Sequence, residues 1–125
     1  MVTRNTALSE QNLRGISINV DDSNTVTIVP SDSGIMFINK NTTLNTNYVL
    51  PAVADADGKM FWFLNATPNA GYVITAPAST LVANNTVSKS TATTGSNTVG
   101  ISAIVVGDGS KYYLFEMGSI AFTIG

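Results

Sequence analysis

The sequence predicts an all-β protein: a single-domain sandwich or partly closed barrel of eight to ten short strands, with an extended N-terminal arm. Strand-like runs rich in Val, Ile, Phe and Tyr recur every 8 to 12 residues or so, and turn-forming residues separate each run from the next. No stretch carries an apolar stripe at helical period long enough for an ordinary helix. At 125 residues the chain suffices for one core and is too short for two.

Residues 1–14 form the arm. Arg4, Glu10 and Arg14 concentrate there, and "SEQNLRG" supports at most one helical turn, with Ser9 as N-cap and Gly15 just past its end. The body, 15–125, opens with "GISINV", where Ile16, Ile18 and Val20 alternate, and "DDSN" turns the chain. "TVTIV" sends Val26 and Ile28 inward before Pro30. After "SDSG", "IMFIN" sets Ile35 and Phe37 opposite Met36 and Ile38. "YVLP" stops at Pro51, which cannot donate to a central ladder.

"ADADG" then leads into "KMFWFLN", with five large apolar side chains in succession, including the sole Trp. Alternation sends Met60, Trp62 and Leu64 to one face and Phe61 and Phe63 to the other, so both faces need cover. "YVITA" pairs Tyr72 with Ile74 on one face. Residues 84–98 are the most polar segment and read as a long exposed loop or a weak β-ribbon. "VGISAIVV" and "KYYLFEM" flank "GDGS", where Asp108-Gly109 is expected as the central pair of a type I′ turn. "SIAFTIG" places Ile120, Phe122 and Ile124 on one face, in or beside the sheet. No period of 20 to 50 residues is expected to repeat.

Charged residues are only 11% of the chain, against roughly a quarter in ordinary soluble proteins. The net charge is -2, the pI about 4.7 and the mean hydropathy +0.21. With no Lys/Arg block, nucleic acid and anionic membrane are not expected as partners. The first residues lack the apolar core of a signal peptide and no apolar run approaches the ~20 residues of a membrane span, so synthesis in a cytoplasm is expected. Few charges and much Thr, Asn and Ser suggest a surface that meets other protein over a broad area.

His and Cys are absent, which removes the usual general base, the Ser-His-Asp arrangement and the ordinary zinc ligands; no enzyme activity, metal or cofactor is expected. Asp55 and Asp57 before Gly58 read as a turn rather than a calcium loop, lacking the distant Glu of such a loop. Glu116 with Asp108 is the remaining acid-base pair to consider, and a rim position for Glu116 is the simpler reading. Ser-Lys pairs in "VSKS" and "GSKY" are adjacent on strands and face opposite ways. The sequons at Asn41, Asn65 and Asn84 are what chance gives in so Asn- and Thr-rich a chain. Trp62, Tyr112 and Tyr113 can stack on sugars, but core burial is the commoner use of such residues.

The order "SDSGIMFIN", "YVLPA", "DGKMFWFLN", "YVITA", a polar segment, then "VVGDGSKYYLF" resembles a small β module of tailed-bacteriophage virion proteins, found in head decoration (cement) proteins and in tail-fibre segments. It covers roughly residues 25–117. The matching positions are turn and core ones: Gly34, Leu50-Pro51, Gly58 with Phe61 and Phe63, and Asp108-Gly109 before an aromatic strand. Where the module commonly has Trp after that last turn, this chain has Tyr112 and Tyr113.

The resemblance implies a structural virion protein that sits on the outer capsid surface, binds the major capsid protein and itself as a homotrimer, and stabilises the shell. It assigns Phe61 and Phe63 to the core, which leaves Met60, Trp62 and Leu64 for a second cover, either a loop of the same chain or, as favoured, a subunit interface. The arm, through Arg4, Leu8, Leu13 and Arg14, is expected to reach across a capsid seam. With no fibre repeat attached, a stand-alone capsid protein is expected over a tail segment. The alternative is a tail-associated or receptor-binding module that recognises a host surface glycan through residues 84–98 and exposed aromatics.

Overall fold

In the computed structural model the described residues are 13–19, 24–95, 97–118 and 122–125. Twelve strands run through them: β1 Gly15–Asn19, β2 Thr25–Thr27, β3 Ile35–Asn39, β4 Thr46–Val49, β5 Met60–Asn65, β6 Tyr72–Thr75, β7 Leu81–Ala83, β8 Thr86–Lys89, β9 Thr91–Thr94, β10 Ser102–Gly107, β11 Tyr112–Met117 and β12 Phe122–Ile124. The fold is all-β, with more and shorter strands than the expected eight to ten. Its only helical pieces among the described residues are 3₁₀ turns at Pro30–Asp32 and Val53–Asp55.

The strands form two mixed sheets. One has seven strands in the order β1-β3-β5-β10-β11-β7-β8, and the other five in the order β12-β9-β6-β4-β2. Phe37, Phe61, Phe63, Val105, Tyr112 and Leu114 point inward from the first; Tyr48, Tyr72, Ile74, Ala92 and Phe122 point inward from the second, and all belong to one core. The two sheets meet through aromatic rings. Phe37 lies 5.6 Å from Tyr48, Phe63 5.2 Å from Tyr48, and Phe63 6.1 Å from Tyr72, centroid to centroid, within the range where such pairs attract.

The first half of the chain is repetitive, contrary to the expectation of no repeat. β1, β3 and β5 are parallel neighbours in one sheet, and β2, β4 and β6 are parallel neighbours in the other. The chain therefore makes three coils, each crossing from the seven-stranded to the five-stranded sheet. The first strand of each coil ends on an Asn in register, Asn19 beside Asn39 beside Asn65. Connections of unequal length hide this period in the sequence.

At the corner after those strands a buried amide network turns the chain. Asn39 donates to the Asn65 side chain at 2.9 Å and to the Gly71 carbonyl at 2.9 Å, and accepts from the Thr46 hydroxyl at 2.8 Å. Asn65 donates to the carbonyls of Thr67, Ala70 and Thr98. A buried loop exposes backbone carbonyls that need donors, and these amides supply them. Asn39 and Asn65 are fully buried, as is Asn41.

The expected turns fall between strands, with two changes of detail. Gly34 and Gly58 enter β3 and β5 with φ of 88° and 72°, a backbone region that other residues avoid. Pro51 follows β4 and accepts a hydrogen bond from the Tyr112 hydroxyl at 2.7 Å. Of the Asp108-Gly109 pair only Gly109 has positive φ, so the turn is not type I′. Instead the Asp108 carboxylate accepts from the Ser110 and Lys111 amides at 2.8 and 2.7 Å, a local side-chain turn. The pair of positive-φ residues is Asn84-Asn85, at 46° and 62°, joining β7 to β8. Residues 84–98, expected as a long exposed loop or a weak β-ribbon, are mostly strand, since β8 and β9 fill 86–94 apart from Ser90.

Candidate interaction surface

The outer faces of the two sheets differ in kind. On the five-stranded sheet Thr25, Asn47, Val73, Thr93 and Thr123 align across the strands, and Thr27, Val49, Thr75 and Thr91 form the next row. Hydroxyls and amides dominate, as suits a wet surface. On the seven-stranded sheet the middle row is Ile16, Met36, Trp62, Ile104 and Phe115. The row beside it is Ile18, Ile38, Leu64, Ser102 and Met117, and on the other side Met60, Val106, Tyr113 and Val82 align. No outward position on these rows is charged.

Two stretches of this apolar face, strand β1 and the end of β11, have reversed polarity. β1 is an edge strand that turns Gly15, Ser17 and Asn19 toward the core side and Ile16 and Ile18 outward. Ile16 is 57% exposed and Ile18 45%. The end of β11 turns Glu116 to the core side and Phe115 and Met117 outward, at 57% and 48% exposure. Burial alone would select the opposite alternation. Ile16 and Ile18, whose alternation is plain in the sequence, thus pattern the outer face.

Met60, Trp62 and Leu64 all lie on this outer face and are half-buried by their neighbours, while Phe61 and Phe63 are fully buried in the core. Trp62 occupies the middle strand and the middle row of the five apolar strands. Its indole N–H is covered and has no hydrogen-bond partner among the described residues. Sequence reading found three of these residues. It missed Ile16, Ile18, Phe115 and Met117, whose alternation was visible but whose facing depends on strand pairing.

Of the expected arm residues, Arg4 and Leu8 lie outside the described residues. Leu13 is exposed. Arg14 is held to the body: its amide donates to the Gly34 carbonyl at 2.8 Å and its guanidinium to the Ser33 carbonyl at 3.0 Å. That anchoring fixes where the chain enters β1.

Glu116 and Asp108 are each occupied in structural bonds. Glu116 accepts from the Phe122 amide at 2.9 Å and the Asn84 side chain at 3.0 Å. Asp108 accepts from the Tyr113 hydroxyl at 2.7 Å; that bond and the two turn amides lower its carboxyl from the usual value, and the same bond raises the Tyr113 hydroxyl. These two carboxylates sit at opposite ends of β11 and form no acid-base pair. Among the described residues no three acidic side chains gather as a metal site would require.

Burial raises the hydroxyls of Tyr48 and Tyr72 well above the usual tyrosine range and lifts Tyr112 to about 12. These groups pack the core. Compared with known protein families and with curated proteins, the sequence matches none.

Proposed function

We propose that the protein is a structural component of a tailed-phage head, a decoration protein that binds the outer surface of the shell and stabilises it without doing chemistry. The observation that carries this reading is the uncharged apolar face of the seven-stranded sheet, on which edge strand β1 and the end of β11 turn apolar side chains outward. Such a face serves permanent contact with protein, because left in water it invites aggregation. The resemblance of the turn and core pattern to phage virion modules supplies the setting. It implies the major capsid protein as partner and three copies per unit.

Binding only to the mature shell stabilises that shell by mass action, so the protein needs affinity and no catalytic group. The segment leading into β1, which contains Arg4, Leu8 and the exposed Leu13, is the part proposed to reach the shell. The glycan-binding alternative draws on exposed aromatics and on residues 84–98, of which 86–94 apart from Ser90 are strands β8 and β9.

The experiment adds purified protein to undecorated, expanded heads. Binding, with a rise in the temperature at which the heads burst, is the expected result; absence of binding overturns the reading. Removal of residues 1–12 is expected to weaken docking and leave the β body folded.

A further inference from the structure

β12 has three residues and stands at the edge of the five-stranded sheet, with a ladder to β9 and none on its other side among the described residues. Phe122 anchors it in the core, 4% exposed and 5.8 Å from the Tyr72 ring, centroid to centroid. At the same residue the strand is tied to the other sheet. The Phe122 amide donates to Glu116 Oε1 of β11 at 2.9 Å, while the Asn84 side chain, from the β7–β8 turn, donates to that same oxygen at 3.0 Å and to the Phe122 carbonyl at 3.4 Å. At the far end Gly125 exchanges backbone bonds with Thr91 at 2.9 and 3.0 Å and accepts from the Ser90 amide at 2.7 Å.

We propose that β12 is a strap latched by the Glu116 carboxylate, and that uptake of a proton by this carboxylate loosens the strap while the rest of the body stays folded. The inference concerns the five-stranded sheet and does not rest on the decoration reading. Its ground is the placing of Glu116. A carboxylate turned to the core side of a strand gives up water and needs hydrogen bonds in return, and here one oxygen accepts both. Bonds to an ionised acceptor are roughly twice as strong as bonds to a neutral one. The groups placed against Glu116 are the Asn84 side chain of the β7–β8 turn, the Phe122 main chain of β12 and, across the ladder, Ala103 of β10. None of these titrates, so among the described residues the charge at this end of the strap is that of Glu116 alone.

Loss of that charge falls on a strand with little else to hold it. β4, β6 and β9 are paired on both sides, whereas β12 is paired on one. Short segments with few neighbours are the ones that open locally, at free energies well below that of global unfolding. When the strap opens, the amides of Phe122, Gly125, Thr91 and Ser90 lose their acceptors together and Tyr72 loses the ring that covers it. The edge of β9 then lies open to water or to another strand.

The test is amide hydrogen exchange of the full chain, followed by NMR at about pH 7 and about pH 3, below the ordinary Glu value of ~4.3. Wild type and Glu116→Gln are compared, with each rate divided by its intrinsic value at that pH. The Asn65 amide, bonded to the Ile101 carbonyl at 2.9 Å on interior strand β5, is the reference for the body. In the wild type, protection of the Gly125 and Thr91 amides relative to Asn65 is expected to fall roughly tenfold or more at the lower pH, the worth of a bond to a charged group. In Glu116→Gln, which keeps the shape and lacks the charge, it is expected to be low already at pH 7 and to stay level. A wild-type ratio that does not change with pH overturns the inference. A pH response that Glu116→Gln retains belongs to another carboxyl group and overturns it too, as does loss of Asn65 protection in step with Gly125, which is unfolding of the whole body.

Discussion

Phe115 and Glu116 are neighbours on β11 and point to opposite sides of the sheet, the ring into the open and the carboxylate toward the interior, where it accepts the Phe122 amide at 2.9 Å. The pairing inverts the usual rule for a half-buried strand. The two residues therefore separate folding from assembly. Glu116→Ala is expected to destabilise the single chain by ~1–3 kcal/mol, because the Phe122 amide loses a charged acceptor. Phe115→Ser is expected to change chain stability by no more than ~0.5 kcal/mol while dispersing any oligomer. Chemical denaturation of both variants, alongside native mass, checks the contrast.

Two core tyrosines are expected to respond to the same substitution with opposite sign. The Tyr48 hydroxyl is buried without a hydrogen-bond partner among the described residues, whereas the Tyr112 hydroxyl donates to the Pro51 carbonyl at 2.7 Å. Tyr48→Phe removes a desolvated, unpaired group and is expected to stabilise by ~1 kcal/mol; Tyr112→Phe removes a bond and is expected to cost ~1 kcal/mol. Thermal denaturation of the two variants reads the difference directly.

The same tyrosines set the alkaline limit. Their folded pKa values are raised by burial, so the folded state holds its phenolic protons more tightly than the unfolded state does. Their contribution is fully present below the unfolded tyrosine value of ~10 and is lost as pH rises above it toward the folded values. With no His in the chain, stability is expected to vary little between about pH 6 and 9 and to fall steeply above about pH 10. A series of melting temperatures against pH, with tyrosinate absorbance followed in parallel, checks this. Tyrosinate is expected to appear together with unfolding.

Asn65 tests the corner network. Its side-chain N–H groups meet the carbonyls of Thr67, Ala70 and Thr98 at 2.9 to 3.1 Å in a fully buried site. Asn65→Asp keeps the shape and replaces donors with an acceptor or a charge. The expected cost is ~3 kcal/mol or more, with partial recovery at low pH, where a protonated carboxyl regains one donor. Urea denaturation at pH 7 and pH 4 distinguishes this outcome from a merely tolerated change.

The strands themselves were legible because alternation and turn residues are local properties. Phe61 and Phe63 are read correctly as core, and so is the all-β class. What alternation cannot state is which face a sheet covers: Ile16 and Ile18 alternate as cleanly as any core strand, yet on edge strand β1 they face out. The coiled repeat was hidden for a related reason. The in-register Asn19, Asn39 and Asn65 mark it, but connections of different length shift the intervals between them. Turn type was misassigned at Asp108 because its carboxylate, bonded to two amides, offers a four-residue loop that needs positive φ only at Gly109. The apolar face was glimpsed at Met60, Trp62 and Leu64 alone, since its parts are separated in sequence and brought together only by β10 and β11 pairing.

The central claim is that the outer face of the seven-stranded sheet is covered in the native protein. Oxidation of the methionines tests it most directly, because Met117 stands 48% exposed in the single chain and reports on the face itself. Under mild peroxide, followed by peptide mass spectrometry, Met117 in the wild type is expected to oxidise several-fold more slowly than in the Phe115→Glu variant. Equal rates in the two proteins, both as fast as a methionine in a short free peptide, would contradict the claim.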